Sequence, residues 1–153
     1  MIFHEVVAAG DTYAYARDTS KEEAYRQLMT LPEHTFVAVD NGSVLGTYFI
    51  KANHQGPGSH VCNCGYMVSS AARGRGLATS MCSHSQEFAV EKGFKAMQFN
   101  LVVETNDAAA RLWQSLGYEI VGTIPKAFDH PEQGYVGAHV MFKWLEGNHA
   151  EES

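Results

Sequence analysis

Hydrophobic and polar positions along this chain alternate in short runs that are broken by stretches of helical spacing. Residues 2–7 read as a first strand and residues 11–17 as a short helix. Ser20 followed by Glu23 has the spacing of a capping box and predicts a helix to about Thr30, before Pro32. Residues 35–39 and 44–52 read as two strands, joined by Asp40, Asn41, Gly42 and Ser43, a strong hairpin signal. A Gly/Pro loop over 54–59 leads into a strand over 60–68. A helix opens at Gly76 and ends at Gly93. Residues 96–103 alternate, with Met97, Phe99, Leu101 and Val103 expected on one face. Ala109, Leu112, Trp113 and Leu116 then recur at helical spacing. Thr105 or Asn106 can cap that helix, and Gly117 can end it in a left-handed conformation. Residues 118–123 and 136–144 read as the last two strands, and 147–153 as a frayed acidic tail.

Strand, turn, helix and strand over residues 60–103 are most simply a right-handed crossover between parallel strands. The hairpins make the rest antiparallel. The expected architecture is one α/β domain over residues 1–146, a mixed, mostly antiparallel sheet with helices on both faces.

Composition narrows the function. The chain has 153 residues, 45% of them hydrophobic, which suits one folded domain with a sizeable core. A formal charge of −6 and a pI near 5.7 argue against a nucleic-acid partner, which would need a basic face. No apolar run is long enough to span a membrane, and the first residues do not resemble a secretion signal. Three cysteines, an odd number, suggest free thiols in a reducing compartment, with the cytoplasm as the expected location. His60, Cys62 and Cys64 alternate onto one strand face, a poor tetrahedral cage, so no metal is expected and small core thiols are the better reading.

The most informative residues are Arg73, Gly74, Arg75, Gly76, Leu77 and Ala78, a basic, glycine-rich turn between a strand and a helix. Glycines let a backbone approach an anion closely, and the free N–H groups of the helix's first turn favour it there. The spacing is neither a P-loop nor a Rossmann fingerprint, since Thr79 stands where the third small residue would be. It fits Arg/Gln-x-x-Gly-x-Gly/Ala, which resembles the pyrophosphate-binding turn of the GNAT acetyltransferase superfamily. The run from Asn106 to Tyr118, with Ala109, Leu112, Trp113 and Gly117, is similar to that superfamily's second signature.

The resemblance implies a GNAT fold in which the two parallel strands splay and acetyl-CoA lies in the gap. Its pantetheine arm would pair with the backbone of Tyr66 and Val68, and its pyrophosphate would rest on the N–H groups of residues 73–78, with Thr79 close by. Arg73 and Arg75 would add local positive charge. Many members are dimers, so a homodimer is the family's expectation. A small-molecule amine would be the acceptor.

Acetyl transfer from a thioester needs a neutral amine, donors for an oxyanion and an acid for the leaving thiolate. Many GNAT enzymes use a strand Glu as base and a helix Tyr as acid. Here the strand over 61–68 has no carboxylate, and Trp113 stands in the tyrosine's position. Asn63, Asn100 with Leu101, Asn106 and the segment from Ile124 to Phe128 are together similar to fungal N-acetyltransferases that detoxify L-azetidine-2-carboxylate. That resemblance implies that Asn63 polarises the thioester or holds substrate, that Asn100 and the Leu101 backbone bind a carboxylate, and that Asn106 orients a water or the pantetheine. Asn106 also reads as a plain helix cap, and Asn100 as a polar strand end. Residues 130–135 form either a loop over the acceptor site or a simple strand connection. Acetylation of another amino acid, a polyamine or a peptide amine is the first alternative, and a non-catalytic CoA-binding sensor the second.

Overall fold

The computed structural model describes residues 2–10 and 12–145, so the tail over 147–153 lies outside the described residues. The chain forms α1 (Ile2–Ala9), α2 (Lys21–Tyr25), β1 (His34–Asp40), β2 (Ser43–Ala52), β3 (Val61–Val68), α3 (Leu77–Glu91), β4 (Ala96–Val103), α4 (Asp107–Ser115), β5 (Glu119–His130) and β6 (Gly134–Trp144). The strands make one six-stranded sheet in the order β1-β2-β3-β4-β6-β5. Only β3 and β4 run parallel, and α3 is the crossover between them. This is the α/β architecture expected.

Ser20 caps α2, its hydroxyl accepting from Glu23 N–H at 3.1 Å, and the helix runs on as one π-helical turn, Arg26–Thr30. Asn41 and Gly42 both take positive φ, 49° and 80°, as a tight twisted hairpin requires.

Three elements differ from the sequence reading. Residues 2–7 are helical: Phe3, Val6 and Val7 recur at three- and four-residue spacing and are buried against Ala24 and Met67. Residues 12–17 form bends without a helix; there Tyr13 stacks on Tyr15 and Tyr15 packs on Phe3. The last hairpin is also longer than expected. β5 continues through Pro125 to His130, past a register irregularity between Ile124 and Phe128 where Lys126 takes φ 54°.

The main core lies between the sheet and α3/α4. Ile50, Cys62, Cys82, Met97 and Met141 are fully enclosed there, and Trp113 packs on Tyr66 and Phe99 at 5.2 and 4.9 Å between ring centres. Helices α1 and α2 cover the opposite face, where Met67 joins Phe3, Val6, Val7 and Ala24. Helices therefore stand on both faces. Glu5 of α1 ties that layer to the segment after β3, accepting from Ser70 N–H at 2.8 Å. Hydrogen bonding to the Ser70 hydroxyl and, next, to its N–H holds the Glu5 carboxyl below its ordinary range, so the tie is intact at neutral pH and is lost as pH falls through that lowered value.

A candidate cosubstrate and acceptor cleft

The parallel pair is only half closed. Val61, Cys62 and Asn63 pair with Ala96, Met97 and Gln98, and the register ends there. Asn63 Nδ2 donates to the Gln98 carbonyl at 2.9 Å and so pins the vertex of the splay. Beyond it the strands diverge around a cleft of about 810 Å³.

Backbone parity decides what faces this gap. Asn53 N–H bonds Val61 O and Ser69 N–H bonds Leu45 O, so odd-numbered residues of β3 pair with β2. His60 O accepts from Lys95 and Ala96, so even-numbered residues turn to the β4 side. Past the vertex, the backbone groups of Cys64, Tyr66 and Val68 therefore face the gap. The Tyr66 carbonyl accepts from the Tyr13 hydroxyl, which reaches in from the bend after α1. The Tyr66 side chain is anchored on the other face by Ser85 Oγ at 2.5 Å.

The glycine turn follows β3; of its residues Arg73 lines the cleft, and residues 74–79 are not among those that line it. Gly74 and Gly76 adopt φ of 78° and 72°, and a Cβ added at either would meet no atom within 4 Å. The concavity is open, and left-handed backbone there is natural only to glycine. Gly76 caps α3 without a side-chain hydrogen bond, and the first helical bond is Ser80 N–H to Gly76 O at 3.1 Å. Among the described residues, the N–H groups of residues 74–79 have no partner. Six consecutive free donors at the positive end of a helix could hold an anion. Arg73 lines the cleft, whereas Arg75 turns to Asp40 at 3.2 Å, an exposed ion pair that ties the turn to the β1–β2 hairpin. Leu77 and Thr79 are half-buried, Leu77 packing on the main core.

The three asparagines singled out by sequence all line this cleft, Asn63 at the vertex and Asn106 beyond the far end of β4. Asn63 is 9% exposed; beyond its bond to Gln98, its Oδ1 has no partner among the described residues. Asn100 donates to Asn53 Oδ1 at 2.7 Å and accepts from Gln98 at 3.0 Å. Asn106 caps α4, its Oδ1 accepting from Ala109 N–H at 3.3 Å, and also lines the cleft. The cap reading is thus correct for Asn106, while its Nδ2 is unpartnered among the described residues.

The alternation expected over 96–103 breaks at the site. Asn100 and Leu101 form a bulge opposite β6, so Met97, Phe99 and Val102 face the main core while Leu101 and Val103 join Phe128 and Val136 on the other side. The bulge aims Asn100 and Leu101 into the cleft. Residues 130–135 are the connection between β5 and β6; that hairpin braces Leu101 through Phe128 and Val136.

Sequence reasoning missed Tyr13, Tyr15, Phe49 and Lys51, all of which line the cleft. Among the described residues, no Asp, Glu or His lines it. Burial pushes the Tyr13 and Tyr66 hydroxyls well above their ordinary range, so both stay protonated. Burial likewise pushes the Cys64 thiol up, which makes it a core group rather than a nucleophile. No helix among the described residues is long and apolar enough to cross a membrane.

Comparison with known proteins agrees with this geometry. The Acetyltransferase (GNAT) family profile matches residues 4–118. Over 99 residues the chain is 38% identical to N-acetyltransferase aca1 of Schizosaccharomyces pombe, covering 64% of this chain and 47% of that protein. It is 26% identical to Protein SPT10 of Saccharomyces cerevisiae over 97 residues, covering 60% of this chain and 15% of that protein. The chain thus spans about half the length of the first of these relatives and less of the second. Among solved structures, a GCN5-related N-acetyltransferase from Kribbella flavida is 48% identical, with a TM-score of 0.87 over 94% of this chain and 88% of that one. A GNAT superfamily phosphinothricin acetyltransferase from Sinorhizobium meliloti, solved in complex with acetyl-CoA, is 20% identical and has the same fold, with a TM-score of 0.81 over 94% and 80% of the two chains. With its splayed parallel pair, its glycine turn and a profile match over residues 4–118, this chain belongs to the Acetyltransferase (GNAT) family.

Proposed function

We propose that the protein is an acetyl-CoA-dependent N-acetyltransferase acting on a small amine. The favoured acceptor is a cyclic imino acid such as L-azetidine-2-carboxylate or a proline relative, and removal of such a toxic analogue in the cytoplasm is the role this suggests. The carrying observation is the run of partnerless N–H groups at residues 74–79, on the turn that follows a strand whose backbone rungs stand open.

In this reading the turn is a cradle that holds the pyrophosphate with help from Arg73, and the Tyr66 and Val68 backbone aligns the arm, Tyr13 yielding the Tyr66 carbonyl. When bound, acetyl-CoA supplies an acetyl thioester, which an arm entering from the turn can carry only toward the vertex. There Asn63 has Oδ1 free to accept from the amine N–H, and its second Nδ2 hydrogen is free for the carbonyl oxygen. Asn100 and the Leu101 backbone hold the far side of the acceptor, and Asn106 Nδ2 orients a water or the arm.

The amine attacks in its neutral form; as the C–N bond forms the thioester C–S bond would break, and the leaving thiolate would take a proton from water. With no carboxylate or histidine on the described lining and both tyrosines held protonated, the amine's proton leaves to water. The pH profile should show this. kcat/KM is expected to rise about tenfold per pH unit toward the acceptor's own pKa, near ~10 for an aliphatic amine. A plateau beginning near neutral pH would instead reveal a protein base.

The replacement of the helix tyrosine by Trp113 favours one other reading, a CoA-binding sensor without turnover. CoA release from acetyl-CoA, followed across azetidine-2-carboxylate, proline, common amino acids and polyamines, separates the two. Release with the imino acid supports the proposal, and release with another amine alone replaces the acceptor. Silence across the panel with acetyl-CoA still bound favours the sensor.

A further inference from the structure

The geometry points to Lys51 as the counter-ion for a carboxylate on the acceptor, which makes amino and imino acids, rather than polyamines, the substrate class of this cleft. The inference rests on the transferase reading above and adds to it a residue and a charge.

Among the described residues, the charged side chains lining the cleft are Lys51 and Arg73, and both are cations. In a chain of net charge −6, a described lining with no carboxylate is a local reversal of sign. The two cations serve different ends. Arg73 stands at the glycine turn. Lys51 stands directly across the β2–β3 ladder from Asn63, at the vertex. Asn63 and Val68 are five residues apart along β3, about 16 Å, so Lys51 is out of reach of an anion held at the turn.

Lys51 is half-buried and has no other task. Among the described residues its side chain makes no ion pair and no hydrogen bond, and its Nζ lies 5.6 Å from the centre of the Phe49 ring. The neighbouring carboxylate, Glu33, accepts instead from Ala52 N–H at 3.3 Å. A lysine held over an aromatic wall beside Asn63 offers an acceptor carboxylate a charge-assisted hydrogen bond. The same two cations repel a polyamine, whose charges would find no carboxylate on the described lining.

The test compares L-azetidine-2-carboxylate with its primary amide, and other amino acids with theirs, in wild type, Lys51→Met and Lys51→Arg. Turnover is measured with acetyl-CoA, and binding by calorimetry to the CoA-loaded protein. Wild type should prefer carboxylates over amides by at least about tenfold in KM or affinity. Lys51→Met should lose most of that preference, Lys51→Arg should keep it, and acetyl-CoA affinity should stay within about twofold in both, since the cation is remote from the cradle. Preference persisting in Lys51→Met overturns the inference. So does turnover confined to polyamines, which leaves the transferase reading intact. If no amine is acetylated, the transferase reading fails, and carboxylate binding by calorimetry still decides the role of Lys51: Lys51-dependent binding sustains it and no binding overturns it.

Discussion

Gly76→Val should abolish measurable acetyl-CoA binding, with affinity down by at least about 100-fold, equivalent to about 2.7 kcal/mol. Two effects combine. Gly76 sits at φ 72°, where an L-residue is strained by about 1–2 kcal/mol, most of all a β-branched one. In the proposed reading its side chain would also project toward the pyrophosphate that the N–H groups of residues 74–79 hold. Gly93, at the other end of the crossover helix, separates the two effects. It has φ 93° and equally open space, so Gly93→Val should lose similar stability while leaving affinity unchanged. Calorimetric titration of both variants with acetyl-CoA, beside their thermal midpoints, is the measurement. Wild-type affinity in Gly76→Val would mean that the pyrophosphate lies elsewhere.

Asn63→Ala should have the opposite signature: kcat down by about 100-fold, as for loss of a positioned polar group, with acetyl-CoA affinity within about threefold. Removing the amide also removes its hydrogen bond to the Gln98 carbonyl at the vertex, so folding stability should fall by about 1 kcal/mol. Single-turnover kinetics at saturating acetyl-CoA read the chemical step apart from binding. Turnover at the wild-type rate would remove Asn63 from the chemistry and leave it as the clasp of the splay.

The glycine turn was legible in the sequence because a left-handed backbone needs glycine, and Gly74 and Gly76 ahead of a helix leave a local mark. The capped helices at Ser20 and Asn106 and the Asn41–Gly42 hairpin were legible for the same reason. What escaped depends on contacts distant in sequence. Ile2, Phe3, Val6 and Val7 fit a strand or a helix until Met67 and Ala24 provide the surface that selects the helix. The bulge at Asn100 and Leu101 has no local signature, and it reversed the faces assigned to Leu101 and Val103. The continuation of β5 past Ile124 was hidden because its residues are mostly exposed, so neither face repeats. Lys51 reads in isolation as a solvated strand residue; only the pairing of β2 with β3 sets it beside Asn63.

The parting of the central strands after Asn63 and Gln98 has a consequence for the lifetime of the protein. A sheet that stops pairing in its middle is short of hydrogen bonds where other domains concentrate them. A ligand that closes those rungs acts on the folding equilibrium itself. At one hundred times its dissociation constant, such a ligand adds about 2.7 kcal/mol to stability, a large fraction of the ~5–15 kcal/mol that holds a domain together. In the proposed reading, the fraction of molecules exposed to proteases therefore rises as acetyl-CoA is depleted. Cellular levels of the protein would then follow the metabolic state of the cell without any dedicated regulator.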